Sequence, residues 1–431
     1  MAHSLAKSKF LMYYPETTVC APPFSWAASG KRIEFVSVDC QPKQELIVDP
    51  TAEGNPLAVG KRARRKGLRN VTWSMVLKMH GVGAATTNGS QVDPTYLSVV
   101  LGWCLGGTHR SFSRVVDSAA DAATLTLDDS AGIIPGCMIA VEDITTPSDE
   151  NAGKLHFRRV LAVAADTVTL SEKLPFTPAA TDKVHATITA YIDRSVLKDA
   201  VAAAGRTFNW LYRNEESGTD LLWQLEGTVA TLALQNLGRG QLPQLAISCM
   251  SANFSHTADD GLAEVTMPAA VGTSAQLAMG TNVHCSIGTY EDDDIAAVET
   301  NAVALETGLT RTKVETSTEK TNRFEGLATY SFSYADTKFT TTLVPFDPAW
   351  YAGLKDDAQF RINYYQPGPG DGAGKAWCVH IARAQISATP SRADVGEVNG
   401  VAVEFMAMLP DDCTPGSNEH IEQSPLLIAI A

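Results

Sequence analysis

The sequence lacks the short motifs that mark redox, zinc-binding and membrane-spanning proteins. None of the eight cysteines belongs to a C-x-x-C pair, which argues against zinc knuckles and thioredoxin-type sites. No apolar run reaches the length of about 18 residues that crosses a membrane, and no apolar segment follows the basic N-terminal residues. We therefore expect neither a membrane span nor a signal peptide. We interpret the cysteines as mostly buried thiols of a protein assembled in a reducing cytoplasm.

Motifs for catalysis are also missing. No serine lies in a G-x-S-x-G elbow, and the stretch GPGDGAG has no following Lys-Ser or Lys-Thr, unlike a phosphate-binding loop. The close neighbours Cys378 with His380, and His284 with Cys285, supply too few ligands for zinc. Aromatic residues make up only 7%, without the cluster that a carbohydrate-active enzyme needs. We expect no enzyme activity, no cofactor and no bound metal.

Positive charge is scarce. Lysine and arginine number 34 against 48 acidic residues, which gives a formal net charge of −14. Tight nucleic-acid binding needs clustered Lys and Arg, so the composition argues against it. The one basic cluster, KRARRKGLR, spans Lys61 to Arg69. Three interpretations of this cluster stay open: pairing with acidic loops of a neighbouring molecule, contact with DNA, or an ordinary solvated loop.

The sequence does contain an internal repeat. GQLPQLAISCMSA and GEVNGVAVEFMAM share their glycine, alanine and methionine positions and their alternation of side chains. Several upstream landmarks recur in the same order and at similar spacing, which indicates a duplicated unit rather than convergent strand-and-turn patterns. The matched landmarks are Asp93-Pro94 with Asp347-Pro348, FNWLY with FRINY, Trp223 with Trp377, Gly240 with Gly396, Ala246 with Ala402, and Met250 with Met406.

Each copy predicts the same local structure. NVTWSMVLKM and KFTTTLVPF are rich in β-branched and apolar residues, which is typical of strands. The following Asp-Pro indicates a helix start, because Asp can accept free N–H groups of the first turn and Pro suits the first helical position; we expect short helices at roughly 95–101 and 349–355. Each copy then offers about four strands and one helix, with the helix covering one face of an antiparallel sheet.

The first copy also contains a long insertion. The surplus residues form short alternating strands separated by Asp, Gly and Ser turns. We interpret 110–185 as a small inserted β-domain, barrel-like or sandwich-like, that projects outward from a surface loop. Residues 1–109 and 186–260 are assigned to a first domain with an N-terminal arm, and residues 261–431 to a second domain with a long preceding loop. The predicted fold is mainly β, with two tandem antiparallel β-sandwich or barrel-arc domains, each carrying a short helix, plus the insertion.

The repeated unit resembles a known protein family. A strand, a helix that starts at Asp-Pro, and the stretch EGTVATLALQNLGRGQLPQLAISCMSANF together look like the tail tube proteins of long, flexible-tailed phages of the siphophage type. The phrase G-x-L-P-x-L-x-[IF] after GTVATLAL is the most family-like part, and the resemblance covers both copies. It implies a virion protein, assembled in the cytoplasm of the host bacterium, whose subunits pair strands into rings that stack into a hollow tube for DNA.

The resemblance also implies partners and a stoichiometry. Tape measure, tail terminator and distal-tail proteins are the implied partners, and genomic DNA would pass without specific binding; no membrane is involved. Rings of this family are normally hexamers with one tube domain per subunit. A chain with two such domains resembles the variant in which three subunits form a pseudo-sixfold ring, so a homotrimer is preferred and a homohexamer is the alternative.

The size of such a ring follows from strand spacing. Three chains would supply about 24 strands, which at roughly 4.8 Å each give a circumference of about 115 Å and a diameter of about 37 Å before tilt. We expect polar strand residues to face this lumen, and carboxylates among them to repel DNA phosphates. The alternative is that each is an ordinary solvent-facing residue. The lumen candidates are Glu226, Gln235, Gln244 and Glu404.

Contacts between stacked rings are expected from charged loops. The basic cluster and the acidic run EDDD are complementary in sign, so they could steer stacking. The candidates are Lys61, Arg62, Arg64, Arg65, Glu291, Asp292, Asp293 and Asp294. The alternative function is a distal-tail or baseplate hub protein, which forms a ring without polymerising, or another virion decoration protein.

Overall fold

The computed structural model describes the chain as a body built mainly from antiparallel strands with a few short helices. None of the helices in the described ranges is long and apolar enough to cross a membrane. The described residues are 10–17, 26, 30–33, 35–40, 43–48, 64–79, 96–145, 148, 151, 153–198, 207–216, 219–237, 241–258, 283–293, 297–315, 327–366, 376–413 and 419–431.

The first part of the chain forms strands on either side of one apolar helix. Alternation is clearest in the long fifth strand, where Val71, Trp73, Met75 and Leu77 are buried and the residues between them are more exposed. The elements are β1 (Phe10–Pro15), β2 (Lys31–Ile33), β3 (Ser37–Cys40), β4 (Lys43–Val48), β5 (Arg64–Lys78), α1 (Tyr96–Leu105) and β6 (Gly106–Arg110).

The inserted segment closes into a six-stranded barrel. Its interior is filled by inward-facing apolar side chains such as Val116, Leu125, Val141 and Phe157, all of which are fully buried. The barrel-like version of the sequence prediction is therefore the one observed. Its strands are β7 (Arg114–Ala119), β8 (Thr124–Leu127), β9 (Met138–Glu142), β10 (Leu155–Ala164), β11 (Thr167–Leu170) and β12 (Lys183–His185).

The chain leaves the barrel beside the point where it entered, because the following strand pairs with β6. It then builds a set of long strands that complete the first half of the molecule. These elements are β13 (Ile188–Ile192), α2 (Arg194–Lys198), β14 (Phe208–Glu216), β15 (Thr219–Gln235), β16 (Gln244–Ser251) and β17 (Asn253–Ala258).

The second half contains strands around another short helix, and its last strand returns to pair with β13 of the first half. Its elements are β18 (His284–Thr289), β19 (Glu299–Glu306), β20 (Leu309–Glu315), β21 (Leu327–Tyr334), β22 (Lys338–Val344), α3 (Ala349–Lys355), β23 (Gln359–Gln366), β24 (Trp377–Ile386), β25 (Ser391–Val395), β26 (Val398–Ala407), α4 (Glu419–Glu422) and β27 (Leu427–Ile430).

Eight strands form one continuous antiparallel sheet, which we call the arc. Their spatial order is β3–β5–β16–β15–β19–β22–β26–β25, and each neighbouring pair is hydrogen-bonded. The first four strands come from the first half of the chain and the last four from the second half. Within the arc, the halves are joined by the short pairing of β15 with β19.

The two halves use matching strand pairings. In the arc, Ala246 of β16 lies opposite Val76 of β5, and Ala402 of β26 lies opposite Thr342 of β22. Outside the arc, β14 lies between β1 and β15, just as β23 lies between β18 and β24. Even an irregularity recurs, because the register shifts next to Phe208 in β14 and next to Phe360 in β23.

These strand registers change one of the residue matches between the two copies that the sequence predicted. Tyr212 of FNWLY lies opposite Trp223, whereas Tyr364 of FRINY lies opposite Val379. Trp223 therefore corresponds to Val379, and the predicted match of Trp223 with Trp377 is wrong by two positions. The error arose because strand side chains repeat every two residues, so that both alignments put an apolar residue on the same face.

β15 and β24 each belong to two layers of sheet. The first part of β15 pairs with β14 and β17 in the second layer, and its second part pairs with β16 in the arc. The change occurs near Gly227, which has a φ of 61° that glycine adopts readily. β24 repeats the pattern with β23, β27 and then β26. One apolar core between the layers runs through both halves and includes Trp73, Trp210, Phe339 and Phe405.

The mainly β fold and both predicted helices are confirmed. α3 runs from Ala349 to Lys355, as predicted, and the N–H of Ala349 donates to Oδ1 of Asp347 at 2.8 Å. α1 extends beyond its predicted end because Trp103, Cys104 and Leu105 remain buried in the core. Asp93-Pro94, the predicted start of this helix, lies outside the described residues.

Candidate functional site

The arc has one covered face and one open face. The covered face packs its apolar side chains into the core, and the open face presents mostly small and polar side chains, including a groove of about 500 Å³ whose charged lining residues are Asp39 and Arg311. We call the open side the polar face. Its polar members are Ser37, Asp39, Thr72, Ser74, Lys78, Thr231, Gln235, Gln244, Ser248, Glu299, Glu306, Lys338, Thr340, Thr342, Ser391 and Glu404.

Three of the four predicted lumen residues lie on the polar face. Gln235 and Gln244 are directly opposite each other on β15 and β16, and Glu404 lies on β26 opposite Thr340. Glu226 does not lie there. It is only 3% exposed, and its carboxylate accepts hydrogen bonds from the side-chain amides of Gln224 and Asn253, each at 3.0 Å. Glu226 lies opposite Asn253 of β17, before β15 enters the arc, so it is not on the polar face and we withdraw it as a lumen candidate.

The charge of the polar face is nearly balanced. Asp39, Glu299, Glu306 and Glu404 oppose Lys78 and Lys338, so its described strands carry two negative charges in excess. Nζ of Lys338 lies 3.0 Å from Oε1 of Glu404. Hydrogen bonds from Ser387 and Lys338 lower the pKa of Glu404, and Glu404 raises the pKa of Lys338. Carboxylates therefore outnumber lysines on these strands, and the lysines on β5 and β22 offset part of the charge. That carboxylates face a lumen and repel DNA phosphates stays a prediction.

The arc ends in two strands that are each paired on one side only. Among the described residues, β3 pairs with β5 alone and β25 pairs with β26 alone. Both are short, and most of their side chains are exposed or half-buried. Val36, beside β3, and Val398, beside β25, are 46% and 49% exposed. Strand edges with free backbone groups are sites at which another strand can add.

Two long hairpins extend from matching positions of the arc. β4 pairs with the first part of β5, and β20 pairs with β21, which leads into β22. The predicted contact residues Arg64 and Arg65 lie in the first hairpin, opposite Val48 and Ile47. Lys61 and Arg62 precede the described start of β5 and lie outside the described residues. Arg64 and Arg65 thus lie at the described start of β5, and the proposed role of the basic cluster between rings stays a prediction.

The acidic run lies next to the barrel. Oδ1 of Asp293 is 3.0 Å from Nζ of Lys173, and the carbonyl of Asp292 accepts a hydrogen bond from Arg361 at 3.1 Å. Glu291 is exposed, and Asp294 lies outside the described residues. Within one chain, the described part of EDDD therefore meets a lysine of the barrel, and its contact with the basic cluster stays a prediction.

The barrel does not stand free of the second half. Its apolar core continues into Tyr365, Cys378 and the C-terminal strand β27. β10 packs against Tyr365 of β23 and Cys378 of β24. We call this contact the barrel dock. That the insertion also projects outward stays a prediction.

Buried charges hold the barrel dock together. Arg159 of the barrel and Arg361 of β23 both bind the carboxylate of Asp412, at 2.6 and 3.1 Å. Arg361 is 3% exposed and also donates to the carbonyl of Tyr290 at 2.8 Å. Paired guanidinium and carboxylate groups tolerate burial only when their hydrogen bonds are well satisfied. The adjacent arginines in LHFRRVLAVA were the sequence signal for this site, but their partners could not be inferred.

Glu172 and His380 lie deeper in the barrel dock. Oε2 of Glu172 is 3.7 Å from Nε of Arg158 and accepts from Nδ2 of Asn363 at 3.4 Å. Burial raises the pKa of Glu172 despite these partners. Burial and the neighbouring arginines lower the pKa of His380 well below its usual range. The 3.8 Å separation between Nδ1 of His380 and Glu172 is therefore a contact with a neutral imidazole rather than an ion pair. Both side chains are inaccessible to a substrate.

Cys378 and Cys285, which lie close to a histidine in the sequence, are buried within the protein. Sγ of Cys378 donates to Oδ1 of Asn363 at 2.9 Å, and Cys285 is buried in the core. In the part of the chain that the structure describes, no group of three or more His, Cys, Asp or Glu residues is placed to hold a metal ion. The seven cysteines in these ranges are free thiols, and all but Cys413 are buried.

Comparison with known proteins places the chain in no family: no family model matches it, and no curated protein matches it.

Proposed function

We propose that the chain is a structural subunit that closes with copies of itself into a ring, and that these rings stack into a hollow tube of the phage tail tube type. The observation that carries this proposal is the arc, an antiparallel sheet of eight strands whose two end strands have no outer partner in the part of the chain that the structure describes. Unpaired edges favour strand addition, and a ring removes them by closure.

Matching registers in the two halves support an internal duplication. The same pairing scheme relates β3, β5, β16 and β15 to β19, β22, β26 and β25, so each half contributes four strands. In this view the chain contains two tandem tube domains and an inserted barrel. Three chains would then supply about 24 strands to a ring with pseudo-sixfold symmetry.

The composition of the polar face supports its placement toward the lumen. Small uncharged side chains and a slight negative excess give DNA phosphates few cations to bind. Passage of DNA would depend on the absence of adhesion rather than on strong repulsion from a lining of carboxylates. Gln235, Gln244 and Glu404 are the lumen residues that we retain. The protein is proposed to act as a structural component of the virion and not as an enzyme.

Electron microscopy of the purified full-length chain tests the proposal. Hollow tubes are expected, and a chain that stays monomeric at all concentrations would contradict it. Isolated rings that never stack would favour the distal-tail or baseplate hub alternative. Native mass spectrometry of one ring should give the mass of three chains; six chains would support the hexamer.

A further inference from the structure

We propose that β25 of one copy pairs antiparallel with β3 of the next copy, with Ala393 opposite Asp39 and Arg392 opposite Cys40. We call this contact the junction. It rests on the proposed ring assembly and specifies which edges meet and in which register. The partner is a second copy of this chain.

The chain already contains one example of such a contact. Within the arc, β15 of the first half pairs with β19 of the second half, with Ala233 opposite Glu306 and Leu234 opposite Leu305. Leu234 and Leu305 are 4% and 2% exposed. The hydroxyl of Thr307 adds a hydrogen bond to the carbonyl of Leu232 at 2.8 Å. The internal contact is thus a small, buried strand pairing between the two halves.

The strand registers identify the equivalents of β15 and β19. Ala233 lies opposite Ala246 of β16, and Ser391 of β25 lies opposite the equivalent residue, Ala402 of β26. β25 therefore occupies the place of the second part of β15.

A similar comparison links β19 with β3. Leu305 of β19 lies opposite Phe339 of β22, and Cys40 of β3 lies opposite the equivalent residue, Trp73 of β5. Replacing β15 by β25 and β19 by β3 converts the internal pairing into the proposed junction between copies.

The positions of these four strands in the arc agree with the proposed junction. The strands with a partner inside the chain, β15 and β19, lie in the middle of the arc, and their equivalents β25 and β3 are its two ends. The proposed register also brings the exposed Val36 alongside the turn between Val395 and Val398, where Val398 is exposed too. An interface between unlike edges is heterologous, and such an interface gives a closed ring when its rotation divides a full turn evenly.

A designed disulfide tests the junction directly. Residues directly opposite in an antiparallel pair have Cα atoms about 4.5 or 5.5 Å apart, and both distances suit a disulfide. The full chain with Asp39→Cys and Ala393→Cys should therefore form covalent multimers when assembled particles are oxidised. If rings contain three chains, the largest product on a denaturing, non-reducing gel should be a trimer. Mass spectrometry of the linked peptides should identify residues 39 and 393 in different chains.

Matched variants control for strand register and for reactivity. Asp39→Cys with Asp394→Cys moves one thiol to the other face of β25, so it should not crosslink. Ala233→Cys with Glu306→Cys copies the geometry inside one chain, so it should form an intrachain disulfide without multimers.

The outcomes separate the junction from ring assembly. If rings or tubes form and the 233–306 disulfide appears without the 39–393 disulfide, the junction is wrong and ring assembly stands. If neither variant nor the unaltered chain assembles, the ring proposal fails and the junction fails with it. A 39–393 disulfide between chains in the expected register supports both.

Discussion

The two halves of the arc share a strand scheme but differ in what lies at their ends. In the first half, β15 stays paired with β16 along seven residues and its outer edge meets β19. In the second half, β24 leaves β26 after three pairs, β25 takes over, and its outer edge has no partner among the described residues. Equivalent strands are therefore paired within the chain at one edge and, in the described ranges, unpaired at the other, which is the asymmetry that the proposed ring requires.

The halves also differ on the side away from the polar face. The barrel is inserted in the first half, yet it docks on β23, β24 and β27 of the second half through buried charges. The two halves have matching strand pairings in the arc. They differ at the barrel dock, where the second half contacts the barrel. Mutations can therefore separate assembly, which we assign to the arc edges, from stability, to which the barrel dock contributes.

The largest expected effect is on assembly at the open edge. Ala393→Lys should abolish rings and tubes while leaving the monomer folded, because a lysine on an edge strand opposes strand addition. Sedimentation measures the assembly, and circular dichroism measures the fold. Thr340→Lys is the matched control, since it adds the same charge to the polar face away from either edge. Equal loss of assembly in both variants would contradict the assignment of β25 as an interface.

The next largest effect is on stability at the barrel dock. Arg361→Ala should lower the free energy of unfolding by about 3–5 kcal/mol, because it leaves Asp412 and Glu172 with less compensation for burial. Chemical denaturation in the Ala393→Lys background keeps assembly from adding to the measured stability. Arg383→Ala is the matched control. Its partner Asp411 is 71% exposed, so the loss should be much smaller. Similar losses for both would argue against the barrel dock as a buried-charge contact.

A third effect is acid sensitivity. Burial lowers the pKa of His156 to about 2 and the pKa of His380 well below its usual range. The unfolded chain binds these protons below about pH 6.5 and the folded chain does not, so stability should fall on acidification by up to about 1.4 kcal/mol per pH unit for each histidine. Glu172 acts in the opposite direction, because its raised pKa makes the folded state take up a proton first.

His380→Gln isolates this contribution. The slope of unfolding free energy against pH, measured by denaturation between about pH 6.5 and 5, should become shallower by one proton. A slope that is the same in His380→Gln and the unaltered chain would show that His380 is not neutral in the folded state.

The smallest expected effect concerns the polar face. Lys338 and Glu404 correspond by register to Thr72 and Ser248 of the first half. Lys338→Thr with Glu404→Ser would make the two halves alike at this point and leave the net charge unchanged. Because the pair is on the surface, thermal denaturation should show little change, and tubes should still form. Loss of assembly would show that this ion pair does more than balance charge.

The sequence predicted the parts of this structure that depend on local pattern. β5 and β22 followed from alternation, and the Asp-Pro signal located α3. The polar positions Gln235, Gln244 and Glu404 followed because side chains alternate along a strand. The same reasoning gave a wrong prediction for Glu226. β15 passes from the second layer into the arc after this residue, and alternation alone does not show which sheet a strand belongs to.

Long-range contacts could not be predicted in this way. The barrel dock joins Arg159, Arg361 and Asp412 from three distant segments, and none of these segments carries a pattern that names the others. The junction likewise depends on registers that relate β25 to β15 and β3 to β19. Those registers became visible only when strand partners in both halves could be compared.

Electron cryo-microscopy of the assembled particle tests the central claim most directly, because it shows whether sheets continue from chain to chain. The account predicts a ring of three chains with about 24 strands in one closed sheet, β25 beside the neighbouring β3, and the polar face toward the lumen. Chains that meet without strand pairing, or a polar face on the outside of the particle, would contradict it.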